Sequence, residues 1–337
     1  AAGQVTLGTL TLTNADSFAI AGNLTLGDLV TTGADYTVTL TGETNTIGAQ
    51  VDFLSTGLVT LGDVAGANTF SFTNGLSFTG GAASDIGASI LSESAAINFG
   101  TGGVTLITNS SVDTTDAAGP GSTITFGGLL DGAFNLDLTA GAAALTFNGV
   151  VGGITPLGDV TVNAVSNLNI NDVFTVGSIN QAVAGTGTTT VDGPVLAQTG
   201  QVRLNNNTVD VNQNIDATGN LIDLDAATEL NIDAAATLIT TADINSGAAS
   251  GDIQLGTTVG NIIVNGDLIS TGAANLGVGS DGGAVVIAAS AAGGQVTISG
   301  DISSSGGAST QPGRDGGAAG TVDVSTINTT IAINGST

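Results

Sequence analysis

Apolar and polar residues alternate in short runs along the whole chain. Val5-Thr6-Leu7, Thr37 to Leu40, Thr123 to Phe126, Asn135 to Leu138 and Asp159 to Val162 all follow a period of two. That is the period of a strand with one buried face. The runs are rich in β-branched residues, which pack well on a pleated surface. Each stops within a few residues at Gly, Asn or Asp, the residues that tolerate the positive φ of a sharp corner. No stretch sustains the 3.6-residue pattern of a long helix. The pattern predicts an all-β chain with little or no helix.

Short phrases recur. Gly-Gln-Val-x-aliphatic occurs at Gly3, Gly200 and Gly294, and Gly-Asp-aliphatic at Gly27, Gly62, Gly158, Gly251, Gly266 and Gly300. The first two Gly-Asp steps are 35 residues apart and the last two 34. Such a period predicts a parallel β-helix (a β-solenoid) of about 17–20 residues per coil, with two coils per 34–35 residues, or one long coil over the same span. A single coil cannot bury its apolar side, so coils must stack. At a strand spacing of ~4.8 Å, roughly 17 coils make an elongated rod on the order of 80 Å long. One continuous solenoid is expected over residues 1–337.

All ten Phe lie between Phe18 and Phe174, and the single Tyr is Tyr36. This divides the expected core into a Phe-containing part, residues 1–174, and an aromatic-free Ala/Val/Ile part, residues 175–337. The alternative use of the Phe is an exposed strip for sugars. Gly3 to Leu7 resembles the interior phrase Gly294 to Ile298, and Ile331 to Gly335 looks like a strand entering another turn. Neither end reads as a cap. The expected partners are therefore further copies of the chain, stacked end to end as subunits of a self-assembling extracellular filament, or neighbouring repeats of a longer chain in which this one is a stalk segment.

Composition narrows the chemistry. In 337 residues there is no Cys, Met, Trp or His, and the only cations are Arg203 and Arg314. The usual metal ligands, general bases and thiol nucleophiles are missing. A formal net charge of -26 argues against nucleic acid, whose binding needs cations to displace phosphate counterions, and against anionic lipid. A mean hydropathy of +0.41 argues against disorder. No run of about 18 apolar residues is present to insert in a membrane as a helix.

The Gly-Asp-aliphatic steps resemble those of filamentous-haemagglutinin-type passengers. So do two glycine-rich phrases, Gly279-Ser280-Asp281-Gly282-Gly283-Ala284-Val285-Val286-Ile287 and Gly313-Arg314-Asp315-Gly316-Gly317-Ala318-Ala319-Gly320-Thr321-Val322. The resemblance spans nearly the whole chain. It implies a right-handed parallel β-helix exported by a two-partner or autotransporter route and displayed at the surface of a Gram-negative bacterium for adhesion or aggregation. Host or matrix glycans are candidate partners. There is no Asn-Pro secretion motif and no C-terminal barrel segment, which leaves the export route open.

Sites are few. Gly277 to Gly283 partly resembles a calcium-binding glycine-rich nonapeptide, which makes Asp281 the candidate Ca²⁺ ligand, although the phrase occurs once and not in tandem. Asp223 and Asp225, and Asp28 and Asp63, are weaker candidates, since stacked Asp repel unless screened or bridged by a divalent ion. No cofactor is required. Glycoside hydrolysis needs only two carboxylates, but with 28 acids no pair stands out, and two Arg are too few for a lyase acting on acidic sugars. The expectation is a chain that is not an enzyme. Thr37-Val38-Thr39-Leu40-Thr41 and Thr188-Thr189-Thr190 suggest an ice-binding face, but Thr does not recur at one position in every coil and is expected simply to face outward. Asn23, Asn109, Asn206, Asn328 and Asn334 open glycosylation sequons.

Overall fold

A computed structural model of the chain describes residues 3–13, 16–115, 119–242, 248–275, 277–327 and 329–334. Asn328 and Gly335 lie outside these. The described residues contain strands and turns but no helix. They form two compact units, residues 1–174 and 175–337, and each is a parallel β-solenoid with three faces.

In the first unit one face stacks Gln4–Leu12, Asn23–Thr31, Thr44–Ile47, Asn68–Phe72, Ser84–Leu91, Ser110–Asp113, Leu136–Thr139 and Leu157–Ala164, each parallel to the next. The second face runs on from the far ends of the first two strands into Val51–Asp52, Leu76–Ser77, Ile97–Asn98, Ile124–Phe126, Leu145–Phe147 and Leu168–Ile170. The third stacks Ser17–Ile20, Thr37–Leu40, Val59–Gly62, the start of Ser84–Leu91, Val104–Leu106 and Leu130–Asp131. The alternation seen in the sequence sets the register, because a one-residue slip would turn every apolar side chain outward.

The second unit repeats the plan. Its first face stacks Val202–Val211, Ile222–Ile232, Ile253–Thr257, Val285–Ala292 and Val322–Ile327. The second continues from the two long strands into Asn261–Val264, Val296–Ile298 and Ile331–Ile333. The third stacks Val195–Ala197, Ile215–Asp216, Thr237–Ile239, Asp267–Ile269 and Ile302–Ser303.

Coils are longer than expected, and fewer. On the third face Val38, Val59, Ser84, Val104 and Leu130 stand in one column, so each coil takes 20 to 26 residues. In the second unit Val202, Ile222, Ile253, Val285 and Val322 share a column, and coils grow from 20 residues to 37. The 34-residue step between Gly266 and Gly300 is one long coil, with Leu268 opposite Ile302. The 35-residue step between Gly27 and Gly62 is not a coil, for Asp28 lies opposite Thr9 and Gly62 opposite Gly87. Extra residues leave at a corner without disturbing the ladders, so turn phrases recur at different corners and their spacing misstates the coil.

The glycine-rich phrases are such excursions. Gly307 N–H donates to Ser280 O, Gly317 N–H to Gly307 O and Gly282 N–H to Ala318 O. A Cβ on Gly317 would lie 1.9 Å from Ser280 O. The segments pack backbone on backbone, which only glycine allows.

Eight of the ten Phe are buried, and Phe18 and Phe134 are half-buried. Phe53, Phe78, Phe99, Phe126 and Phe147 form a column inside the second face, with successive ring centroids 4.9, 5.8, 4.8 and 5.3 Å apart. These separations follow the strand spacing, and each aromatic pair adds about 0.5–1.5 kcal/mol beyond its burial. Burial of these Phe rules out the exposed sugar strip.

Candidate binding surfaces

Outward positions on the first face of the first unit carry hydroxyls in two adjacent ranks. Thr6, Thr25, Thr46 and Ser71 follow one another in four successive levels. Two residues along each strand, Thr44, Thr69, Ser89 and Ser111 do the same, until Asp137 ends the rank. Ser111 Oγ donates to Ser89 Oγ at 2.8 Å. No acid interrupts these eight positions in a chain of net charge -26. The sequence reading missed the ranks because Ser alternates with Thr and the coils differ in length. Thr37 and Thr39 face outward on the third face instead, while Thr189 is fully buried between outward Thr188 and Thr190.

In the second unit two adjoining depressions, of about 340 and 310 Å³, share Asp225, Gly256 and Ser290 and make one groove across the first face. Its origin is a column of shrinking side chains. Asn205 stands beside Asp225, Asp225 beside Gly256, and Gly256 beside Ala288. The floor is therefore bare at Gly256 and Ala288, where Asn205 and Asp225 would have neighbours of their own size. The next outward column, Arg203, Asp223, Gln254 and Val286, forms a wall. Asp225 leans over the bare position, since a Cβ on Gly256 would lie 2.5 Å from Asp225 Oδ1.

Charge is organised along that wall. Arg203 Nε lies 3.2 Å from Asp223 Oδ2, yet makes no hydrogen bond. It is an ion pair held by proximity alone. The Asp223 carboxyl is raised above its ordinary range, mainly by burial and then by the neighbouring Asp225, with Arg203 partly opposing. On the second face burial raises the Asp210 carboxyl, and Glu229 and Asp192 add to it.

The residues singled out in the sequence scatter. Asp281 is exposed and its Oδ1 accepts from Ala318 N–H at 2.7 Å, tying one glycine-rich segment to the next. Asp63 accepts from Ala65 N–H at 2.9 Å within its own turn, and Asp28 stands opposite Thr9; the two carboxylates are not stacked. Arg314 is exposed in its glycine-rich loop. Only Asp223 and Asp225 come together at a groove. Of the sequons, Asn206 is buried, so the folded chain cannot be modified there, whereas Asn109 and Asn334 are exposed and Asn23 half-buried. Among the described residues no group of three or more His, Cys, Asp and Glu is placed to hold a metal. Nor is any helix there long and apolar enough to cross a membrane.

The three-faced parallel coil agrees in fold with filamentous-haemagglutinin-type passengers. The chain matches no family model, no curated protein and no solved structure.

Proposed function

We propose that this chain is an extracellular structural and adhesive solenoid, a stalk segment of a filamentous-haemagglutinin-like or autotransporter-type exoprotein on a Gram-negative-type bacterium, and not a catalyst. The observation that supports this most is how each unit spends its residues. Level after level, apolar side chains are buried inside the coil and against the levels on either side, and the polar ones form broad faces. Such a scaffold extends binding surface without needing a reaction centre.

Partners enter by the same logic. Val322, Ile331 and Ile333 are 43, 39 and 44% exposed, whereas Val285, Val296 and Ile298, one level earlier in the same columns, are fully buried. A further coil, from a longer chain or a second copy, would cover them and pair the free strand edges. High negative charge keeps sideways association weak and the display soluble.

The test is display on a non-adherent bacterium, followed by counting of cells retained on polysaccharide-coated or epithelial surfaces under shear. Retention above that of undecorated cells supports the adhesive reading. Equal wash-off on every surface overturns it.

A further inference from the structure

We propose that the groove across the first face of the second unit is a binding site for a neutral polysaccharide chain, with Asp225 as its principal hydrogen-bond acceptor. The proposal rests on the adhesive reading above and gives it a ligand class and an address. In the groove an outward column loses its side chains at Gly256 and Ala288. A ligand laid there meets backbone and methyl at the floor and polar groups on both sides.

Those groups fit a polyol. Asp223 and Asp225 accept hydrogen bonds; the amides of Asn205 and Gln254 both donate and accept, as does the Ser290 hydroxyl. A sugar hydroxyl also donates and accepts, so it can satisfy every one of them. No hydrogen bond among the described residues engages the Asp225 carboxylate, which leaves it available at the groove. Anionic sugars are disfavoured, because the single cation at the groove is already paired with Asp223 and the chain carries a net charge of -26. A divalent cation is the poorer fit, with only two carboxylates present and one of them opposed by Arg203.

Gly256 makes the proposal testable without unfolding the chain. It lies within the strand Ile253–Thr257, its backbone is outside the left-handed region, and the only atoms an added Cβ would meet are the end of the Asp225 side chain. Gly256→Val therefore suits the strand while filling the groove. Asp225→Asn removes the acceptor charge with its shape kept. Binding of labelled cellohexaose, maltohexaose, laminarihexaose and mannohexaose would be measured by thermophoresis for the full chain and both variants, with circular dichroism confirming the fold.

The expected result is saturable binding of at least one hexasaccharide, weakened about tenfold or more by Gly256→Val and by Asp225→Asn. Equal binding by Gly256→Val, or binding of none of the four, overturns the groove assignment. So does a titration in which CaCl₂ alone binds and Asp225→Asn abolishes it. None of these results touches retention under shear, which judges the adhesive reading separately. Release of shorter sugars during the measurement would overturn the claim that the chain is not a catalyst.

Discussion

The two units build the same three-faced coil from different materials. In residues 1–174 the interior is organised around a column of Phe rings whose spacing follows the strands. In residues 175–337 there is no aromatic residue, and columns such as Leu204, Leu224, Leu255 and Ile287 do the same work. The corners differ too. Ten described glycines adopt positive φ in the first unit and three in the second, so the first turns tightly in left-handed glycine corners while the second lets long excursions out. A ladder of backbone hydrogen bonds is common to both and indifferent to what fills the middle. Side chains choose the width of the coil and the tightness of its corners; the parallel stacking itself needs only the alternation.

That contrast can be broken experimentally. The largest effect is expected from Phe126→Ala, which removes a ring stacked on both sides. The cost should be about 3–5 kcal/mol, read as a lowered urea midpoint from the fluorescence of Tyr36, the sole tyrosine, which is buried in the same unit. Leu224→Ala in the second unit should cost about 2–5 kcal/mol by circular dichroism. A Phe126→Ala cost below 1 kcal/mol would mean the Phe column is incidental to the first unit.

Next come the corners. Gly100 has φ +62, and a Cβ there would lie 2.0 Å from Phe78 O. Gly100→Ala should lose about 1–2 kcal/mol from the left-handed backbone alone, and more from the clash. Gly256→Ala, in an ordinary strand conformation, should be neutral or gain up to about 0.5–1 kcal/mol. Matching losses at the two sites would remove the distinction between corner and groove glycines.

The smallest effects are electrostatic. The Asp210 carboxyl titrates above its unfolded value in the folded chain, so folding is favoured below the unfolded carboxyl range, and that contribution is lost as pH rises through the folded value. Asp210→Asn should therefore raise stability at pH 7 by at most about 0.5 kcal/mol, since the site is partly solvated and screened, and add nothing where carboxyls are protonated. Arg203→Ala should cost less than about 1 kcal/mol while raising the Asp223 carboxyl further. Urea midpoints across pH check both.

Much of the fold was legible because alternation acts at every level of the coil. Val5-Thr6-Leu7, Thr37 to Leu40 and Asp159 to Val162 are strands or parts of strands in the structure. Coil length was not legible, because Gly-Asp phrases sit wherever the chain turns, and the long connection from Asp267–Ile269 to Val285–Ala292 changes the spacing without changing the ladder. The hydroxyl ranks were hidden for the same reason. Thr46 and Ser71 are neighbours across 25 residues, but Ser89 and Ser111 across 22, so no fixed period finds them. The groove was least legible of all. Asp223-Leu224-Asp225 is visible as a pair, but Gly256 becomes informative only once it is known to stand beside Asp225.

The central claim, that this chain holds its partners without transforming them, is tested most directly in one tube. Immobilised chain would be incubated with soluble neutral polysaccharides, and retained polymer and new reducing ends counted together. Polymer retained with no new reducing ends is the expected result. Reducing ends that accumulate in proportion to the chain and disappear in Asp223→Asn and Asp225→Asn would contradict it and make the groove an active site.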